Sequence, residues 1–128
     1  MNTRHRNGIL GSFRCAGEGL VLAFRTQLHF RFHLAAAAAV VVVGAWLALP
    51  GTTMAILVLV IGAVLFAELV NTAFEVLVDL VSPEYHPLAK QVKDLAAAAV
   101  LTLAMISVVI GLLLIGPPLL AQLGLGRP

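Results

Sequence analysis

The chain has 128 residues, 61% of them hydrophobic and only 11% charged, with a mean hydropathy of +1.05. Soluble domains carry about 45 to 50% apolar and about 25% charged residues, so a soluble fold is excluded; this length leaves room for one membrane domain, 1–128, without a separate cofactor-carrying module. The formal net charge is +2, from eight Lys/Arg against six Asp/Glu.

Charge placement is more informative than its sum. Arg4, Arg6, Arg14, Arg25 and Arg31 all precede the first long apolar block, an arrangement suited to an anionic membrane surface. No basic patch with interleaved aromatics is present, so nucleic acid is not an expected partner. Cys15 has neither a second cysteine nor metal-ligand spacing around it and reads as a small buried apolar residue.

In the leading stretch, Leu10, Phe13, Gly17, Leu20, Phe24 and Leu28 recur every three or four residues, with Arg14, Glu18 and Arg25 on other faces. This spacing predicts an amphipathic surface helix over about 9–31. Leu34 to Leu49 is apolar and ends at Pro50 and Gly51, and Trp46 near its far end is placed like an interfacial anchor; Phe30 to His33 extend this block to a first span of about 32–49. A second span of about 53–81 continues through Glu68, Asn71, Glu75 and Asp79 and ends at Ser82 and Pro83. A third span, about 92–115, is expected to stop at Gly116, Pro117 and Pro118. The turn after the first span carries no charge, whereas the second connection holds Lys90 and Lys93, so the N-terminus and that connection face inward. The fold class is all-α, polytopic, with a surface helix and three transmembrane helices. Ala35 to Ala39 and Ala96 to Ala99 supply small side chains that allow close helix approach.

Glu68, Asn71, Glu75 and Asp79 are separated by three, four and four residues and share one helix face. For a hydrocarbon core of about 30 Å and a helix entering near Met54, Glu68 lies about 9 Å inside the inner boundary, Glu75 at the interface and Asp79 in water. Intramembrane carboxylates are tolerated chiefly where they face a bundle interior, a cavity or a partner. Glu68 at that depth could serve as general base on a lipid headgroup hydroxyl while Glu75 holds a divalent cation; alternatively the polar seam only packs against another helix. In the loop, Glu84, Tyr85 and His86 precede Pro87, followed by Lys90, Lys93 and Asp94. Lysines suit phosphate oxygens, but Lys90 and Asp94 also fit a plain helical ion pair, and a lone His beside Pro fits a cap. Neither a Walker loop nor a kinase glycine-rich loop is present.

The run Glu68-Leu69-Val70-Asn71-Thr72-Ala73-Phe74-Glu75, then Val78-Asp79, Pro83-Glu84-Tyr85-His86-Pro87-Leu88-Ala89-Lys90, and Lys93-Asp94 with Ala97, resembles the prokaryotic diacylglycerol kinase and undecaprenol kinase family. Phe30-Arg31 with His33, and Ala16 with Gly19, belong to the same resemblance, which covers nearly the whole chain. It implies a homotrimeric kinase of the bacterial inner membrane, with its N-terminus and active site cytoplasmic, that moves the γ-phosphate of MgATP to a lipid hydroxyl. Carried over by position, Glu68 is the proton acceptor, Asn71 orients the lipid acceptor and Glu75 binds Mg²⁺ and ATP. Glu84, Tyr85, His86, Lys93 and Asp94 line the nucleotide, and Arg31, Trp46 and Ala97 border the lipid. Gln27-Leu28-His29 departs from the family's Glu-x-Asn, so a metal carboxylate is replaced by the amide of Gln27, which weakens the Mg²⁺ site. The segment Pro83 to Lys90 and Phe30-Arg31-Phe32-His33 lean toward undecaprenol over diacylglycerol. The alternatives are a weakened or silent homologue, or a small proton or ion transport subunit using Glu68.

Overall fold

The computed structural model describes residues 8–125; Arg4 and Arg6 lie outside the described residues. Four helices follow one another: α1 (Ile9–Thr26), α2 (Leu28–Trp46), α3 (Gly51–Val81) and α4 (Pro87–Gln122). The last three are long and apolar enough to cross a membrane, so the chain is an all-α membrane protein. α3 is the central element, packed against α4, α2 and α1.

The predicted surface helix stops short of residue 31, because the chain breaks at Gln27. Its backbone is extended (φ −107°, ψ 112°); its N–H closes α1 on the Ala23 carbonyl, and its own carbonyl accepts from Arg31 N–H to open α2. The break falls about two turns before the pattern becomes apolar all round at Leu34, so a helix suited to an interface hands over to one that carries His29, Arg31 and His33 into the start of the span. On α1 only Ala23 is buried against the bundle, while Ala16, Gly19, Leu20 and Leu22 border an open groove facing α3. Leu10 and Phe13 point away from the protein at 86% and 71% exposure. Cys15 is exposed, which corrects the buried assignment: it lies outside that narrow contact face.

α2 ends before Pro50 in a reversal closed by Leu49 N–H to the Gly44 carbonyl and Ala48 N–H to the Ala45 carbonyl, both at 3.0 Å. This pairing puts Ala48, at φ 49°, in the left-handed position that usually takes glycine. The hairpin it makes is tight: a Cβ on Gly44 would come within 2.6 Å of the Met54 sulfur on α3.

α4 does not stop at Gly116. It runs on through Pro117 and Pro118 to Gln122, correcting the expected end of the third span. The two prolines remove the N–H groups that would serve the Leu113 and Leu114 carbonyls, yet their fixed φ is helical and the turn beyond them forms. Termination comes instead at Gly124, whose φ of 69° is left-handed, the usual geometry of a helix C-cap. There Leu125 N–H reaches the Leu120 carbonyl at 2.9 Å and Gly124 N–H the Ala121 carbonyl at 3.1 Å.

Because Ala48 occupies a conformation that costs an L-residue about 1 kcal/mol or more, Ala48→Gly is expected to stabilise the fold by up to about 1 kcal/mol. Denaturation in mixed micelles checks this, read as a higher midpoint for the variant.

Candidate active site at the α2–α3 junction

The buried seam of α3 runs through Leu57, Val64, Glu68, Thr72 and Val78. Glu68 is 5% exposed and is the only charged side chain buried among the described residues. α3 leaves its carboxylate to be satisfied from elsewhere: Thr72 Oγ1 donates to the backbone carbonyl of Glu68 at 2.9 Å, and the Asn71 amide turns toward Glu75. The partner comes from α2, where His33 Nε2 lies 3.2 Å from Glu68 Oε1. His33 also heads a cavity that continues between the helices past Ala36, Val40, Leu57, Ile61 and Ser107.

Glu75 stands two turns along α3 from Glu68, about 10 Å away. Two amides bracket its carboxylate: Asn71 Nδ2 donates to Oε1 at 2.9 Å and Gln27 Nε2 to Oε2 at 3.5 Å. The break between α1 and α2 is what brings Gln27 here, from 48 residues away in sequence. Asn71 Oδ1 is buried without a partner. Among the described residues no group of three His, Cys, Asp or Glu side chains gathers for a metal. The oxygen set at Glu75, one carboxylate and two amides that present oxygen after a half-turn, fits Mg²⁺ only as a partial shell, of the kind substrate phosphates and water complete.

Beyond Glu75, the end of α3, the loop and the first turns of α4 enclose a polar recess lined by Asp79, Glu84, Tyr85, His86, Lys90 and Lys93. His86 caps α4, its Nδ1 accepting from Leu88 N–H at 3.2 Å. Pro87 begins that helix, at a position where its missing N–H costs nothing. Each lysine has an acid: Lys93 donates to Asp79 across the α3–α4 gap, and Lys90 to Asp94 one turn on. The Lys90–Asp94 hydrogen bond, reinforced by the Asp94 charge, holds the Lys90 ammonium above the ordinary lysine value. Tyr85 is 82% exposed.

The structure therefore gathers Glu68, Asn71, Glu75 and Gln27 around one stretch of α3, and Glu84, Tyr85, His86 and Lys93 around the adjoining recess, with Asp94 tied to its edge through Lys90. Arg31 is exposed on the first turn of α2 and Ala97 is exposed on α4. Trp46 does not join them: it lies thirteen residues along α2 from His33, about 20 Å toward the opposite membrane face. Two side chains escape the sequence-based candidates. His33 is visible only as part of a motif, and Asp79 only as the aqueous end of the polar seam; neither pairing leaves a periodic signal, since each joins two helices.

Residues 14–115 match the prokaryotic diacylglycerol kinase family. The chain is 45% identical over 118 residues to an undecaprenol kinase of Bacillus subtilis, covering 90% of this chain and 96% of that protein. It is 45% identical over 114 residues to a diacylglycerol kinase of Synechocystis, covering 88% of this chain and 65% of that one. To a diacylglycerol kinase of Escherichia coli it is 31% identical over 108 residues, or 84% and 88% of the two chains.

The Lys93–Asp79 pair leaves its two side chains 37% and 66% exposed. Asp79→Asn should consequently change fold stability by less than about 1 kcal/mol, measurable by the same denaturation experiment, because a solvated ion pair contributes little. With a family match spanning most of the chain and a buried acid on its central helix, the protein belongs to the prokaryotic diacylglycerol kinase family, a family of lipid kinases.

Proposed function

We propose that the protein transfers the γ-phosphate of MgATP to the hydroxyl of a membrane lipid, with Glu68 as the proton acceptor and undecaprenol slightly preferred over diacylglycerol. The observation that carries this reading is the buried Glu68 carboxylate, set two helical turns along α3 from Glu75 and the polar recess beyond it. A lipid hydroxyl approaching from the bilayer meets Glu68, while a nucleotide approaching from water meets Lys93 and the loop. Glu84, Tyr85, His86 and Asp94 complete the nucleotide side, and Asn71 and Arg31 the acceptor side. Ala97 and Trp46 are left for the lipid tail, Trp46 at its far end.

Phosphoryl transfer depends mostly on positioning and on neutralising charge, which a chain of this size supplies with few groups. The acceptor O–H proton passes to Glu68 as the new O–P bond forms; the bond from the γ-phosphorus to its bridging oxygen breaks, and the electron pair leaves on ADP. Glu75, with Gln27 and Asn71 beside it, would hold Mg²⁺, which supplies charge neutralisation at the phosphate oxygens when bound.

Orientation follows from the positive-inside rule: Arg25, Arg31, Lys90 and Lys93 all stand at the Glu75 end of the bundle. We place that end in the cytoplasm, with the protein in the bacterial inner membrane. A homotrimer is supported by α4, whose most apolar window has no residue buried within one chain. The lean toward undecaprenol is supported by Phe30-Arg31-Phe32-His33 and Pro83 to Lys90, and by the near-complete coverage of the Bacillus subtilis relative.

The test is transfer from radiolabelled MgATP by the purified protein in bicelles, with undecaprenol and diacylglycerol offered side by side. Glu68→Gln is expected to lower transfer at least about 10²-fold, the lower range for a positioned general base; labelling retained by that variant would overturn the assignment. In the same assay Gln27→Glu should reduce the Mg²⁺ concentration needed for half-maximal rate, since a carboxylate replaces a neutral oxygen beside Glu75. An unchanged Mg²⁺ dependence would remove Gln27 from the metal site.

A further inference from the structure

The hydrogen-bond donors of α3 around Glu68 are committed elsewhere, Thr72 Oγ1 to a backbone carbonyl and Asn71 Nδ2 to Glu75. The only side chain that the described residues bring to this carboxylate is His33. An ionised carboxylate deprived of water needs a partner or it takes up a proton, and a base must remain unprotonated until the substrate hydroxyl arrives. His33 is well placed to hold such a group. Its side chain is 21% exposed against 6% for Glu68, its ring meets Phe32 edge-on with centroids 5.8 Å apart, and Phe30, which anchors the same turn of α2, is 5% exposed.

We propose that His33 is the positioning residue for the acceptor side of the reaction, an inference that rests on Glu68 being the base. Nε2 lies against Oε1 of Glu68 at 3.2 Å and occupies that oxygen, leaving Oε2 to receive the lipid hydroxyl proton. During transfer that proton moves from the lipid oxygen to Oε2, the oxygen bonds to the γ-phosphorus, and the bridging bond breaks toward ADP. His33 neither gains nor loses a proton in this step. It sits where the cavity between α2 and α3 meets the acid, so it also marks the point at which an apolar tail ends and a hydroxyl begins.

Full-length protein in bicelles, at saturating MgATP and varied lipid, tests this with two variants. His33→Ala is expected to lower kcat about 10²-fold, the loss typical of a reacting group displaced by about 1 Å, with KM for MgATP unchanged. His33→Gln, which keeps an N–H donor at nearly the reach of Nε2, is expected to recover most of that loss. Wild-type kcat in His33→Ala, or no recovery in His33→Gln, would overturn the proposal. A second measurement does not depend on turnover: in protein labelled with ¹⁵N-histidine, the His33 ring signal, identified by its absence in His33→Gln, should move in Glu68→Gln while those of His29 and His86 stay. An unmoved His33 signal also overturns it. If Glu68→Gln itself retains transfer, the base assignment fails, and the resonance shift still reports separately on the contact.

Discussion

The structure depends on placing one carboxylate inside an apolar helix bundle. Taking a charge of this kind out of water carries a penalty of several kcal/mol even after relaxation, and no helix propensity or apolar contact offsets that at the atom concerned. The consequences reach outward from Glu68. α2 has to lie close enough for His33 to touch it, which the tight Gly44–Met54 approach at the other end of the hairpin allows. The chain has to break at Gln27 for α2 to take that path while α1 keeps its amphipathic course. The remaining polar groups of α3, Asn71 and Thr72, are then distributed so that none competes for the buried acid.

Much of this is legible in the sequence because it is periodic. The spacing of Glu68, Asn71 and Glu75 defines one face of a helix without knowledge of its neighbours, and the turn residues Pro50, Gly51, Ser82 and Pro83 mark the ends of the second span. The pairing of Gln27 with Glu75 is suggested by motif resemblance, while its geometry comes only from the fold. The His33–Glu68 contact joins helices through an approach that no single-helix pattern encodes. Pro117 and Pro118 mislead for a local reason: two adjacent prolines remove donors yet do not themselves leave helical φ, so the end of α4 is decided further on, by Gly124. Ala48 in a left-handed position is invisible in sequence, since alanine carries no signal for it.

The two halves of the candidate site differ in how their charges are held. At the membrane side a buried acid has one imidazole neighbour, a dry arrangement in which small displacements carry large electrostatic effects. At the aqueous side Lys90 and Lys93 are each paired with an acid in a solvated recess. Under the proposed function, a nucleotide entering there would exchange partners with ions already matched, so its binding free energy would be a difference between similar terms. Glu75 lies between these regimes, flanked by amides that can offer either a donor or an acceptor.

Gln27 gives the molecule a mechanical property as well as a chemical one. It is the single extended residue between two helices, and its side chain rests on Glu75. α1 is a rigid rod of 18 residues, about 27 Å long, so a tilt of about 10° moves its free end about 5 Å. The fulcrum of that motion is the residue whose amide touches the acid. Because no longer connection separates α1 from α2, any change in the angle between them has to be taken up at this one residue.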